Sequence, residues 1–360
     1  MTRLNLAFVL LAALSTSLVA CSAAPADEQG EDVSETESEL AKSVDDHWFY
    51  DGPLPTLESA RVTISLEGHT ARISGLVPAG FALSELPPHA KVQDDAGRTR
   101  LDVVYPIATA RAGKSDARPG DYRFNNVIPY RPDGIAVTVQ EGAHMVTWGG
   151  FPFLRYNGGI ALHGPITAMD NNGAPDMSVW YLQRGEVSGG CNRMMGEHVV
   201  ELAHLAGTSM RKVYAKNAQV TPAGVARVTV ISGYDSYGGK FVDVDYPTDA
   251  GVSRSTVTRP AKVYGADRVA MFGSWIASAM PGGRDLPPSM KWEGGVSGKP
   301  YVFAEHARKD WICAVRPGHL ARLSAYVKRA GDLPASFCEN KTCVLDALAA
   351  GVDPKSRCGL

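Results

Sequence analysis

Around Ser188-Gly189-Gly190-Cys191-Asn192-Arg193-Met194 the chain has little conformational choice. Two consecutive glycines permit a tight backbone turn and leave the peptide N–H groups beside the sulfur uncrowded. Asn192 and Arg193 then bring amide and guanidinium donors. Over residues 194–205 the apolar Val199, Leu202 and Leu205 fall at helical spacing, so a helix is expected there. A lone cysteine usually reads as packing or as half of a disulfide. Here a helix N-terminus and the Arg193 charge would favour the thiolate. Uncrowded N–H groups are also what the oxyanion needs when a thiolate attacks a carbonyl. Cys191 is therefore read as a nucleophile, with Gly189 and Gly190 shaping the oxyanion turn and Ser188 hydrogen-bonding within it.

A nucleophilic thiol needs a base, and one stands 28 residues upstream in Gly158-Gly159-Ile160-Ala161-Leu162-His163-Gly164. This is a short apolar strand that delivers His163 and breaks at Gly164. A strand ending in His-Gly, followed downstream by Ser-x-Gly-Cys-x-Arg-Met, resembles the catalytic signature of the L,D-transpeptidases, the YkuD family. Tyr105-Pro106-Ile107-Ala108-Thr109 looks like the Tyr-Pro-Val-Ser-Thr strand of that family, and Arg118-Pro119-Gly120-Asp121-Tyr122 resembles its Thr-Pro-x-Gly-x-Tyr turn. The match spans roughly residues 60–215. Two features depart from the pattern: Gly189 stands where the family often has His, and residues 167–185 look like an enlarged loop.

The resemblance implies a mainly β catalytic domain of β-sandwich type with a few helices, and a cysteine acyl-transfer chemistry. Cys191 would attack the diaminopimelate–D-alanine bond of a peptidoglycan tetrapeptide stem and release D-alanine. The thioester would pass to an amine of a second stem, giving a 3→3 crosslink. His163 would be the base, the Gly164 carbonyl would orient its imidazole, and Arg193 would fix the loop or a substrate carboxylate. Trp148, Tyr156 and Trp180 are candidate groove residues. Transfer to a protein amine, hydrolysis by water, and a non-catalytic wall-binding lipoprotein remain open alternatives. The enlarged loop carries a turn signal, Asp170-Asn171-Asn172-Gly173, and an apolar patch of Met177, Val179, Trp180 and Tyr181. It reads either as an ordinary strand or as a lid over the donor groove.

Residues 1–21 form a targeting segment: Arg3 supplies a positive charge, and residues 6–14 are apolar but too short to span a bilayer. Leu18-Val19-Ala20-Cys21 resembles a bacterial lipobox, with Cys21 lipidated. That implies an envelope protein anchored by lipid, on the periplasmic face and at the outer membrane if the host has two. Residues 22–55 are expected to be a tether, because nine acidic residues between 22 and 46 face a single Lys42. Order is expected to begin at the aromatic cluster of residues 47–50. Without the tether the rest of the chain is mildly basic, which suits an anionic polymer such as cell wall.

Residues 56–250 are expected to be the catalytic domain. Its 37 Gly and 23 Pro, counted over the whole chain, demand many turns and so a strand-rich body. Residues 251–360 form a C-terminal region with Cys313, Cys338, Cys343 and Cys358, read as two disulfides that would leave Cys191 as a free thiol. His198, His204, Glu197 and Glu201 lack zinc-motif spacing and are read as solvent-facing or packing residues. No Walker loop and no Gly-x-Gly-x-x-Gly is present, so no cofactor, no metal and no nucleic-acid partner is expected. The oligomeric state is left open.

Overall fold

A computed structural model describes residues 46–360 except 87–89, 111–117, 133–135, 140–141, 147–149, 165, 170–174, 224–225, 238–239, 245–253, 258–268, 274–300 and 304–310. The signal segment, Cys21, most of the acidic tether and Trp148 lie outside the described residues. The chain opens with β1 (His47–Tyr50), β2 (Glu58–Ser65), β3 (Thr70–Leu76), β4 (Ala90–Asp95), β5 (Arg98–Pro106), β6 (Ala108–Ala110) and β7 (Gly120–Arg123). It continues with β8 (Ala136–Val139), β9 (Gly142–Val146), β10 (Phe153–Asn157), β11 (Ile160–His163), β12 (Ile166–Met169), β13 (Pro175–Ser188) and β14 (Asn192–Arg193). Helix α1 (Gly196–Leu205) precedes β15 (Arg227–Ile231), β16 (Ser236–Tyr237), β17 (Lys240–Val244), β18 (Arg254–Val257), β19 (Val269–Gly273), β20 (Tyr301–Phe303) and β21 (Ile312–Val315). The C-terminus is helical: α2 (Pro317–Ala330), α3 (Lys341–Ala349) and α4 (Pro354–Cys358). The protein is thus mainly β with four helices among the described residues.

Two sheets enclose α1. One runs β4-β5-β3-β2-β15-β7; the other runs β10-β11-β14-β6-β13-β19-β20, with β12 paired to β13. Val62, Ile64, Ile73, Val103, Val228 and Val230 of the first meet Leu154, Tyr156 and Leu162 of the second, around Val199, Leu202 and Leu205 of the helix. In β2 the run Val62 to Ser65 is buried on both faces of the strand. The helix starts two residues later than the apolar spacing suggests. Asn192 and Arg193 are drawn into strand pairing with β11, Met195 stands at the N-cap, and helical geometry begins at Gly196.

All ten residues of α1 are buried, including Glu197, His198, Glu201 and His204. These polar side chains are packing residues, not solvent-facing ones. The Tyr105 hydroxyl donates to Glu201 Oε1 at 2.8 Å, and the His198 and Tyr105 rings lie 5.1 Å apart. Burial of such groups demands partners, which a surface helix would take from water.

The enlarged loop is a hairpin. Ile166 to Met169 pair with Tyr181 to Pro175, and the returning strand continues as β13 into the centre of the sheet, beside β6 and β19. Trp180 sits in β13 opposite Thr167, a register position within a strand and not a lid tip. Arg184, further along the same strand, is 1% exposed; its Nε and Nη2 donate to the carbonyls of His69 and Gly68 at 3.1 and 2.9 Å.

The last fifty residues are held to the body by the first of the described ones. Strand β1 pairs antiparallel with β21, His47 opposite Val315 and Tyr50 opposite Ile312. Alternation then divides the apolar side chains: Trp48 and Tyr50 enter the main core, while Phe49 packs among Leu323, Leu333, Phe337 and Val344. His47 belongs to this joint, with Nδ1 3.0 Å from the Trp48 carbonyl and Nε2 accepting from Tyr214 N–H at 3.0 Å. Tyr214, which supplies this bond, lies outside any strand. Arg211 adds an ion pair to Asp51 and a second to Asp332 at 3.1 Å. Disulfides Cys313–Cys338 and Cys343–Cys358 staple the helical end, as its cysteine content suggests. Helix α2 starts with Pro317 and stops at Gly331, whose φ of 90° suits only glycine well.

Candidate functional site

The strand that carries His163 and the turn that carries Cys191 are neighbours. Strands β11 and β14 run parallel, Leu162 opposite Asn192 and His163 opposite Arg193. Continuing that register by one residue sets Cys191 beside Ala161, and the two share a packed cluster with Phe153 and Ile128. Residues two apart on a strand face the same way. His163 and Cys191 therefore occupy one face of the sheet as diagonal neighbours, a separation that imidazole and sulfur can bridge. Leu154, Tyr156 and Leu162 point to the opposite face, into the main core.

The glycine pair divides its labour. Gly190 has φ 151°, a region that side chains rarely adopt, and its N–H donates to Ser188 Oγ at 3.3 Å. Ser188 thus does hydrogen-bond within the turn, and one expected oxyanion donor is engaged there. A Cβ at Gly189 would meet nothing within 4 Å.

His163 is 2% exposed. Its Nδ1 lies 2.9 Å from the Gly164 carbonyl, which can only accept, so Nδ1 carries the proton and Nε2 the lone pair. Burial pushes the imidazole well below its ordinary range. The Arg193 charge beside it acts in the same direction, the Gly164 carbonyl opposes, and Arg131 adds further repulsion. A neutral ring able to accept a proton is the result. The position of Gly164 is set by Phe151: a Cβ on Gly164 would lie 2.7 Å from that residue, and one on Gly196 2.2 Å from its ring tip.

Tyr156 is not a groove residue. It is 2% exposed, and its hydroxyl donates to Asn192 Oδ1 at 2.6 Å. Asn192 Nδ2 in turn reaches the Ala108 carbonyl at 3.4 Å, so the residue after the cysteine is tied to β6 and β10. The side chain of Trp180 and all of Trp148 lie outside the described residues.

Cys191 is only 1% exposed, and it is disulfide-bonded, to a partner outside the described residues. The expectation of a free thiol at Cys191 is therefore corrected. Its Sγ lies 3.7 Å from the Gly159 carbonyl, a contact that becomes a weak donation only in the reduced residue. Nor does Cys191 stand at a helix N-terminus, since β14 and two methionines separate it from α1.

Two arginines escaped the sequence reading. The Arg131 guanidinium lies 4.1 Å from the Phe153 ring centre and that of Arg155 5.9 Å. Phe153 itself stacks on His163, ring centres 5.7 Å apart. The two arginines are 24 positions apart with no motif around them, so only strand pairing could reveal them. Among the described residues no group of three or more His, Cys, Asp or Glu side chains is placed to hold a metal. An open depression between α2 and α4, lined by Arg322, Tyr326, Arg329 and Lys355, contains none of these residues.

No protein-family model matches the sequence, and no curated protein does. Among solved structures, the chain is similar at 7% identity to a Clostridium acetobutylicum ATCC 824 protein described as a fused Zn-dependent amidase/peptidase/peptidoglycan-binding domain-containing protein. That match covers 49% of this chain and 54% of the other, with TM-score 0.24. It is also similar to Bdellovibrio bacteriovorus Bd1075, at 9% identity over 53% of each chain, with TM-score 0.25. The chain spans about half the length of each, and likeness of this size carries no argument about its chemistry.

Proposed function

We propose that this chain, with Cys191 reduced, is a cysteine acyltransferase of the L,D-transpeptidase type acting on peptidoglycan stem peptides. What supports the reading most is that Cys191 and His163 share one sheet face, with the imidazole held neutral and its Nδ1 satisfied by Gly164. A base oriented through one nitrogen, with its lone pair on the other, is what nucleophile activation requires.

His163 Nε2 takes the thiol proton, and the sulfur attacks the diaminopimelate carbonyl. The C–N bond to D-alanine breaks as the imidazolium returns its proton to the departing amine. The Arg193 charge opposite His163 disfavours a lasting imidazolium and so promotes that second transfer. An amine from another stem then attacks the thioester, the C–S bond breaks, and the thiol is restored. One oxyanion donor contributes roughly 3–4 kcal/mol in such chemistry. The Cys191 N–H is the candidate, since Gly190 N–H is engaged by Ser188. Substrate entry requires uncovering a sulfur that is 1% exposed. A lipid anchor at Cys21 and an envelope location belong to the same proposal and to the same reduced state, since Cys21 is the one cysteine that the two C-terminal disulfides leave to pair with Cys191 and a lipidated thiol cannot do so; no helix among the described residues is long and apolar enough to cross a membrane.

The test is incubation of tetrapeptide muropeptides with the protein, with and without dithiothreitol, followed by mass spectrometry. Reduced protein should release D-alanine and give crosslinked dimers, whereas Cys191→Ser should give neither, at an unfolding temperature that matches wild-type protein under the same reducing conditions. Undiminished release by Cys191→Ser, or none by reduced wild-type protein, overturns the reading.

A further inference from the structure

The C-terminal helices present three cations without counter-ions among the described residues. Helix α2 contains no acidic residue and sets Arg322, Ala325, Tyr326 and Arg329 at helical spacing, on one face. Lys355 of α4 stands beside that face, and between the two helices lies a depression of about 610 Å³. Its lining includes Tyr326, 3% exposed, and the apolar Val352, 43% exposed. Arg322, Arg329 and Lys355 are all exposed and enter no ion pair among the described residues. The one carboxylate in the lining, Asp353, caps α4 by accepting from the Lys355 N–H at 3.2 Å. Asp332, just past α2, is engaged by Arg211.

The same chain supplies a matching polyanion. Eight acidic residues stand between 27 and 45 against Lys42 alone. Topology delivers that segment to the helices. His47 pairs with Val315, so Asp46 enters alongside Arg316, the N-cap residue of α2. From Arg316 the far cation, Arg329, is about 20 Å along the helix at 1.5 Å per residue. Glu39 and Glu37 stand shortly before His47 in the chain and reach about 25–35 Å when extended. The acidic segment is therefore long enough to cover the whole face, and its Leu40 and Val33 offer apolar contact to Val352.

We propose that the acidic segment 27–45 docks on the cationic face formed by α2 and α4 of its own chain. Exposed ion pairs are individually weak. Attachment at His47 compensates, because it holds the carboxylates near the face at an effective concentration of order millimolar. Salt releases the segment, as the Debye length falls from about 10 Å at 0.1 M to about 3 Å at 1 M. Docking also sets reach, a consequence that rests on the lipid anchor of the proposed function. Residues 22–45 extend to about 80 Å, whereas residues 22–26 alone extend to about 17 Å. The docked form thus works close to its anchor, and the released form works further out.

Docking is tested on the chain carrying Cys21→Ser, which takes neither lipid nor a disulfide to Cys191. A carbodiimide, which joins carboxylates to amines in contact, should link segment 27–45 to Lys355 at low salt, read by mass spectrometry of tryptic peptides. Mixing isotope-labelled with unlabelled protein separates links within one chain from links between copies. Acetylation of Lys355 should run about three- to tenfold slower than in a variant with all eight acidic residues of 27–45 changed to their amides. Salt at about 1 M should abolish the difference. Arg322→Gln together with Arg329→Gln, both at exposed positions, should speed Lys355 acetylation likewise, while Lys91 on β4 labels alike throughout. No link from 27–45 to Lys355, links only between copies, or equal acetylation of the acidic and amide forms overturns the docking. So does protection of Lys355 that appears only on phosphatidylglycerol vesicles and survives the amide changes, which assigns the face to a lipid surface.

Discussion

Gly196→Ala should destabilise this protein although it adds a good helix former to a helix. Replacing glycine by alanine in a helix ordinarily gains about 0.5–1 kcal/mol. Here a Cβ would stand 2.2 and 2.3 Å from Phe151 Cζ and Cε1, far inside contact distance. A ring tip usually swings away at little cost, but this ring is penned. It stacks on Trp48 at 4.3 Å, and Phe151 Cβ and Cδ2 already crowd Gly164, where a Cβ would have only 2.7 Å. Overpacking of this kind costs about 1–3 kcal/mol, so a net loss of about 1–2 kcal/mol remains. The urea midpoint should fall by about half a molar, given slopes of about 1–3 kcal/mol per molar. In a Phe151→Leu background the ring tip is gone, and the same Gly196→Ala change should turn neutral or stabilising. The reversal of sign is the signature. A midpoint that rises in the wild-type background, or an equal fall in both backgrounds, refutes the wedge and its control of Gly164 under His163.

Acid should weaken the fold before any carboxylate pair is lost. His47 is held at about 3 and His204 at about 4, chiefly by burial, so the unfolded chain takes up their protons first. Their contribution is complete above about pH 6.5 and lost as pH falls towards 4 and then 3, each at up to about 1.4 kcal/mol per pH unit. His163 acts in the same direction, and Asp51, raised by burial, in the opposite one. Urea midpoints at pH 7 and pH 5 should differ clearly; equal midpoints contradict the buried neutral rings. Gly189→Ala should leave stability within about 0.5 kcal/mol, whereas Gly190→Ala at φ 151° should cost about 1–3 kcal/mol; equal effects in thermal melts exclude the assigned turn. Replacing Cys343 and Cys358 together by Ser opens a 15-residue separation and should cost about 3 kcal/mol by calorimetry. No change would mean that the pair does not form in solution.

The parts legible in the sequence were those carried by local chemistry. His163 with Gly164 behind it, the Ser188 turn, and the pairing of the late cysteines among themselves all rest on neighbours in the chain. What was missed depends on the sheet. The spacing of Val199, Leu202 and Leu205 is met, yet the helix starts late because the His163 carbonyl takes the Met194 N–H and Met195 stands at the N-cap. Residues 167–185 looked like a loop because the sequence does not say that β12 will be there to pair. Tyr156 looked like a groove aromatic until Asn192 supplied its acceptor. Arg131, Arg155 and the buried Arg184 carry no signal of their own, and only strand register gives them meaning.

The pairing of β1 with β21 also dictates an order of events. Synthesis delivers Trp48, Phe49 and Tyr50 early, but their partners Ile312 to Val315 arrive more than 250 residues later. Closing a loop that long costs about 5 kcal/mol of chain entropy, so the seam cannot be an early folding step. Until the end of the chain emerges, an apolar strand edge waits unpaired, exposed to the wrong partners. That interval is when an escort for the first strand matters most. Polypeptides released before residue 312 should be sticky in a way the finished protein is not.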